Sequence, residues 1–205
     1  MTSSPVRARR SPADKFEDRR RELADAALLT LAELGYARTS LRTIAENTSF
    51  SHGVLHYYFR DKVELITYCV QRYKVACVQR YDAVVSGADT ADGLAAACGE
   101  GLAATLREDA VLHRLWYDLR AQALFEPAFR ADVAEIDDSL QAMIWRVVTG
   151  YAELGGRAPT VTSAFAYALF DGLFGQALAR HLDGAQDAAD DLRTGAQDLL
   201  PRLFV

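Results

Sequence analysis

The residues best equipped for chemistry in this 205-residue chain lie in the segment 40–62. His52 and His56 stand four positions apart beside Ser51, Gly53 and Tyr57, with Arg42 and Thr43 ahead of them and Lys62 behind. An imidazole can donate to a guanine or to a phosphate, and two of them at i, i+4 share one helical face. Arg42 can grip a phosphate through its planar fork, and Thr43 adds a hydroxyl contact. Gly53 has no side chain, so its backbone can approach a base edge or a thymine methyl closely. Lys62 suits a phosphate flanking the groove. This is the chemistry of duplex recognition.

The same residues admit other readings. His52 and His56 also make half of a zinc site, but no further ligand sits at metal-binding spacing nearby, so no metal is expected. Tyr57, Tyr58 and Phe59 resemble a stacking platform for single strands. We read Tyr58 and Phe59 as core and Tyr57 as facing duplex DNA. Catalytic patterns are missing: the chain has no GxGxxG, P-loop, GxSxG or HExxH. Asp137-Asp138 and Asp190-Asp191 are neighbours in sequence and point apart on a helix. An enzyme is therefore not expected, and no cofactor is implied.

A second group is aromatic. Trp116, Tyr117, Phe125, Phe165, Phe170 and Phe174, with Arg120 among them, can line a small-molecule cavity. Aromatics at helical spacing also serve as plain core. Arg120 discriminates: pointing inward it would demand a carboxylate or phosphate on the ligand, and pointing outward it is a surface charge.

Helices must position these groups. Segment 40–62 reads as two short helices joined by a tight turn, a helix-turn-helix that offers its second helix to the major groove. Ile44, Ala45, Phe50, Leu55 and Phe59 are the apolar set holding the two at a fixed angle. Thr39 or Ser40 can cap the first of them, Ser51 the second and Asp61 the helix that follows. Upstream, Leu23, Ala27, Leu31 and Leu34 form a helical stripe that ends at Gly35. Downstream, helices are expected at about 62–85, 90–107, 109–125, 127–154, 160–182 and 186–203. Strand signals are nearly absent. The fold expected is all-α, about nine helices, with a three-helix head over 1–62 and a larger effector-binding and dimerisation domain over 63–205.

Charge is unevenly distributed. Residues 1–62 hold 11 Lys+Arg against 8 Asp+Glu, a balance of +3, whereas 63–205 hold 12 against 20, a balance of −8. A basic end on an acidic body fits a polyanionic partner at that end. Arg7, Arg9 and Arg10 form a basic arm suited to phosphates or the minor groove. The odd cysteine count (Cys69, Cys77, Cys98) with no CxxC, and a basic start without an apolar run behind it, fit a cytoplasmic protein with no signal peptide. Asp171 sits near the middle of the most apolar segment, 161–182, so no membrane span is expected.

Gly35, Thr39-Ser40, Ile44-Ala45, Phe50-Ser51, Gly53, Leu55, Tyr58-Phe59, Lys62 and Leu65 together resemble the N-terminal signature of the TetR family of transcriptional regulators, over about 16–66. Leu115-Trp116 through Glu126-Pro127-Ala128-Phe129-Arg130 resembles the effector domain of its choline-responsive subgroup. The resemblance implies a homodimer on a palindromic operator and a helical body whose small-molecule effector releases DNA. It carries the family's DNA contacts onto Arg42, Thr43, Ser51, His52, Gly53, His56, Tyr57 and Lys62. Two positions depart from the pattern. Ser49 replaces the usual turn glycine, so either a left-handed serine costs about 1–2 kcal/mol or the turn is built differently. His56 replaces a tyrosine, which would tie phosphate contact to pH.

The segment 160–182 is apolar almost all round, with a small-residue stripe of Ala164, Ala168, Gly172, Gly175 and Ala179. Together with Ala189, Leu192, Ala196, Leu199 and Leu203 in 186–203, it is expected to form a four-helix interface between two subunits. The function implied is a ligand-responsive dimeric repressor on double-stranded operator DNA. The alternative is a constitutive or architectural DNA-binder with no effector, which predicts a filled core and no cavity.

Overall fold

The computed structural model describes residues 11–204, so Arg7, Arg9 and Arg10 of the basic arm lie outside the described residues. Among the described residues there are eight α-helices, two short 3-10 turns and no strand. The helices are α1 (Pro12–Leu34), α2 (Leu41–Glu46), α3 (His52–Tyr58), α4 (Lys62–Ser86), α5 (Ala91–Gln122), α6 (Arg130–Gly155), α7 (Ser163–Leu182) and α8 (Ala188–Leu199). The chain divides into two compact units, one ending at Cys69 and the other beginning at Val70.

In the first unit each helix start has a side-chain cap, because the first N–H groups of a helix have no internal partner. Ser11 and Asp14 close a reciprocal capping box on α1, with Pro12 in its first turn. At the other end Gly35 takes φ 74° and its N–H reaches Leu31 O at 2.8 Å. Ser40, rather than Thr39, caps α2 by accepting from Thr43 N–H at 3.0 Å; Thr39 is buried and donates to Gly35 O at 2.7 Å. Asp61 caps α4, accepting from Glu64 N–H at 2.9 Å, and that bond leads the causes that lower its carboxyl below the usual range.

The core of this unit takes Leu23, Ala27 and Leu31 from α1, Ile44 from α2, and Leu55 and Phe59 from and just after α3, all buried. Ala45 and Phe50 are only half-buried; Arg19 lies over the Phe50 ring at 4.8 Å. The first turns of α4 belong here too, later than the expected end at residue 62. Leu65 and Ile66 are fully buried, Glu64 bridges to Arg20 at 2.8 Å, and Cys69 Sγ donates to Ala24 O at 3.4 Å.

The second unit corrects the helix count. The expected helices 90–107 and 109–125 are one, α5, kinked where Asp109 leaves helical geometry at φ −119° and ψ 15°. No glycine or proline stands between them to stop the chain, and Asp109 is held at the kink by Arg80 at 3.0 Å. Pro127 opens the 3-10 turn Pro127–Phe129, and Pro201 lies in the 3-10 turn Leu200–Leu203 that extends α8. Gly156 ends α6 in the left-handed region at φ 64°.

α8 differs from expectation in what its stripe covers. Ala189, Leu192 and Ala196 are buried within the unit, where α8 packs on α5. A Cβ on Gly99 would lie 2.7 Å from Arg193 O and from Gln197 Cγ, so the glycine sets that close approach. The stripe thus serves the subunit's own core, and the outer face of α8 carries Asp190, Asp191, Thr194 and Asp198, all exposed. α7 does leave an apolar surface open: Ala164, Ala168, Gly172 and Ala179 are exposed, and Phe165 is 55% exposed. Gly175, from the same small-residue stripe, instead faces the Tyr117 ring.

Candidate nucleic-acid interface and effector cavity

The turn between α2 and α3 is made without a left-handed serine, since no described residue other than glycine has positive φ. Asn47 supplies the stop instead. Its backbone N–H reaches Thr43 O at 3.2 Å and its side chain the same oxygen at 2.8 Å. Thr48 Oγ1 then accepts from Phe50 N–H at 3.4 Å. Side chains that bond to nearby backbone replace the glycine, so the cost foreseen at Ser49 does not arise.

α3 presents His52, Gly53, His56 and Tyr57 to solvent, Tyr57 at 73% exposure. The two imidazoles sit edge to face with ring centres 4.4 Å apart, which fixes them as a pair. A Cβ on Gly53 would meet nothing within 4 Å, so the glycine is not demanded by packing within the chain. Ser51 has a structural duty, accepting from Val54 N–H at 3.3 Å as the cap of α3. Arg42 is exposed and lightly held by Glu46 at 3.0 Å; Thr43 Oγ1 bonds to Ser40 Oγ at 2.8 Å. Tyr58 is half-buried against Phe16, whose ring lies 4.7 Å away, while Phe59 is fully buried. Lys62 is engaged inside the unit: its Nζ donates to Tyr36 O at 3.1 Å and lies 3.8 Å from the centre of the Tyr36 ring.

In the second unit, α4, α5, α6 and α7 surround a cavity of about 60 Å³. Trp116, Tyr117, Phe170 and Phe174 are among the residues that line it. Phe125 and Phe165 do not: both are more than half exposed, Phe125 in the loop after α5 and Phe165 on the outer face of α7. Arg120 is also outside the lining. Its Nη1 pairs with Asp171 at 2.6 Å and its Nε with Asp137 at 3.3 Å, which answers its charge within the protein. Tyr117 donates to Asp171 at 3.0 Å and Tyr167 donates to Asp137. Burial, with these carboxylates beside them, pushes both phenols well above their ordinary range.

The polar centre that the sequence reading missed is Lys74 with His113. Lys74 is 3% exposed and its Nζ lies 3.2 Å from His113 Nδ1. The faces of Trp116 and Tyr73 are 5.3 and 5.5 Å from the ammonium. Burial lowers the Lys74 pKa to about 8, against the opposing pull of Cys77, Asp171, Asp137 and Asp109. Burial also drives His113 well below its usual value, helped by Lys74 and Arg80, so the imidazole is neutral. A signal for Lys74 was present, for it stands on the stripe Val70, Cys77, Tyr81, whose members are all buried. A lysine on such a stripe is rare unless it has a task.

Residues 23–69 match the family described as bacterial regulatory proteins, tetR family, a span that includes the candidate DNA contacts from Arg42 to Lys62 but not the basic arm. Over residues 23–69 the chain therefore matches the TetR family. A stretch of 50 residues is 44% identical to the HTH-type transcriptional regulator BetI of Paraburkholderia xenovorans (strain LB400), covering 24% of this chain and 26% of that protein. The match therefore spans about a quarter of that relative's length. Solved structures extend the likeness of fold along the chain. A transcriptional regulator from Saccharomonospora viridis in complex with choline superposes with TM-score 0.73 at 18% identity, over 92% of this chain and 98% of that one. FadR from Bacillus subtilis in complex with stearoyl-CoA superposes with TM-score 0.71 at 17% identity, over 88% and 96%. At these identities the shared property is the all-α TetR fold. No helix among the described residues is long and apolar enough to cross a membrane.

Proposed function

We propose that this TetR-family chain is a dimeric transcriptional repressor that binds a palindromic operator and is released by a small molecule held in the body cavity. The observation that carries the reading is α3, whose outward face offers His52, Gly53, His56 and Tyr57 behind a capped, glycine-free turn inside the matched segment. Its sites are Arg42, Thr43, Ser51, His52, Gly53, His56, Tyr57 and Lys62 on DNA, with Trp116, Tyr117, Phe170 and Phe174 on the effector. The open apolar face of α7 supports a second copy as partner, because an exposed apolar stripe of this kind marks an interaction surface. Two-fold pairing would give two heads for two half-sites, one helical turn or more apart.

The cavity favours an effector-responsive regulator over a constitutive DNA-binder, whose body would be filled. Release is a coupling free energy: the effector prefers a conformation in which the two heads no longer fit the half-sites. α4 contributes to both units and is the continuous connection through which that preference can act.

The test is selection of bound duplexes from a random pool, followed by a salt-dependent gel shift. A palindromic consensus, bound far more tightly than random DNA, is expected. Equal binding of all duplexes would leave an architectural protein, and no binding would remove the DNA reading.

A further inference from the structure

The cavity contains a cation with no anion beside it. Among the described residues no carboxylate oxygen lies within 4 Å of Lys74 Nζ, whose hydrogen-bond partner is the neutral His113. A lysine ammonium has only donors, so His113 Nδ1 accepts and the imidazole proton must reside on Nε2. That Nε2 is itself buried and has no hydrogen-bond partner. Both residues line the cavity. Two buried donors, one charged, therefore stand at a space whose remaining walls are chiefly aromatic and aliphatic. Leaving such donors unanswered is costly, and an anion placed against the Lys74 ammonium removes the larger, charged part of that cost.

The other charges near the cavity do not supply that anion. Asp171, on α7, is taken by Arg120 and the Tyr117 hydroxyl. Asp137, on α6, is taken by Arg120 and Tyr167. Asp109, on α5, is taken by Arg80. All three act on Lys74 only beyond contact distance. The same pairing leaves Asp171 poorly placed to receive a cationic ligand, which would also have to enter beside the Lys74 ammonium.

We propose that the cavity binds a small monocarboxylate with an apolar body, its carboxylate received by Lys74 Nζ, which the hydrogen bond to His113 Nδ1 holds in place, and its body lying among Trp116, Phe170 and Phe174. This rests on the reading of the cavity as the effector site and names the chemical class of that effector. Charge-assisted bonds of this kind are about twice as strong as neutral ones, so the carboxylate group should dominate selectivity.

The experiment uses the full chain and titrates it calorimetrically with acetate through hexanoate and with benzoate, each against its primary amide, and with choline. At least one carboxylate should bind ten-fold or more tightly than its amide, and choline should not compete with it. Lys74→Met should erase the preference, lowering carboxylate affinity by ten-fold or more beyond any loss of amide affinity. His113→Phe should reduce the preference without abolishing it, and serves if Lys74→Met does not fold. An amide or choline that binds as tightly as the matching carboxylate overturns the proposal while the effector reading stands. A carboxylate preference that survives in Lys74→Met also overturns it. If no compound of any charge binds, both the proposal and the effector reading fall.

Discussion

Lys74 Nζ and His113 Nδ1 meet at 3.2 Å on facing sides of the body, and within 4 Å neither has a carboxylate among the described residues. Each is buried, and each is pushed by burial toward its neutral form. A protein that keeps such a pair accepts a cost in the unliganded state, and that cost is measurable.

The first prediction follows from the direction of the lysine shift. Its pKa in the folded chain is about 8, against 10.5 for an ordinary lysine. The folded state sheds this proton first, so the penalty is fully present below about pH 8 and is relieved as pH rises toward 10.5. Lys74→Met should therefore be more stable than the parent at pH 7, by an amount on the order of 3 kcal/mol, with the gap closing toward pH 10. Taking the difference between the two proteins by urea unfolding cancels the alkaline titration of other groups. A gap independent of pH would refute the assignment.

Lys62 carries the second. It donates to Tyr36 O at 3.1 Å and lies 3.8 Å from the Tyr36 ring centre, tying the start of α4 to the loop after α1. Lys62→Ala should lower unfolding free energy by about 1–2 kcal/mol through loss of that bond and of the ring contact. If Lys62 also reaches a phosphate, the variant weakens all duplexes alike and the slope of log affinity against log salt falls by about one. Denaturant unfolding and salt titration separate the two roles.

How much of this was legible in the sequence depends on what each residue answers to. The head was readable because its signals are local: a cap at Ser51, a glycine after α1, and apolar residues at helical spacing, each bonding or packing within a few positions. At Ser49 the second of the two alternatives holds, because the turn uses Asn47 and Thr48, whose backbone bonds the sequence does not announce. The cavity was half legible. Trp116, Tyr117, Phe170 and Phe174 face it, but Phe125 and Phe165 do not, since periodicity places residues on a face without saying which face looks inward. Arg120 stands among the aromatics in sequence, yet Asp137 and Asp171, on α6 and α7, claim its charge. Lys74 and His113 are 39 positions apart, and only the fold brings them together.

A third prediction concerns the packing of α8 on α5. A Cβ at Gly99 would approach Arg193 O, a backbone atom, to 2.7 Å, so the helices must separate to admit it. Gly99→Ala gains helix propensity but should still cost a net 1–3 kcal/mol, because overpacking between two rigid helices is not relieved by rotating a side chain. Gly53→Ala is the control, for there a Cβ meets nothing within 4 Å in the chain. Thermal unfolding should show a clear drop for the first and little change for the second. If Gly53→Ala nonetheless abolishes operator binding, the backbone of α3 lies close to DNA.

The last prediction separates reading from gripping on α3. His52, His56 and Tyr57 are all exposed, and the histidines touch edge to face, so truncating one frees the other. His52→Ala should change which base is preferred at one position of each half-site, at a cost of about 1–3 kcal/mol for the original base, because side chains that contact base edges carry sequence information. Tyr57→Phe removes only a hydroxyl and should weaken every sequence to a similar small degree, as loss of a phosphate contact does. Arg42→Ala should behave like Tyr57→Phe with a larger loss of affinity and a salt slope lower by about one, since it loses a charge and frees Glu46. The check is competition binding of each variant against an operator and its single-base changes. A His52→Ala protein with the parent's base preference would place His52 among the gripping residues and leave Gly53 and His56 to do the reading.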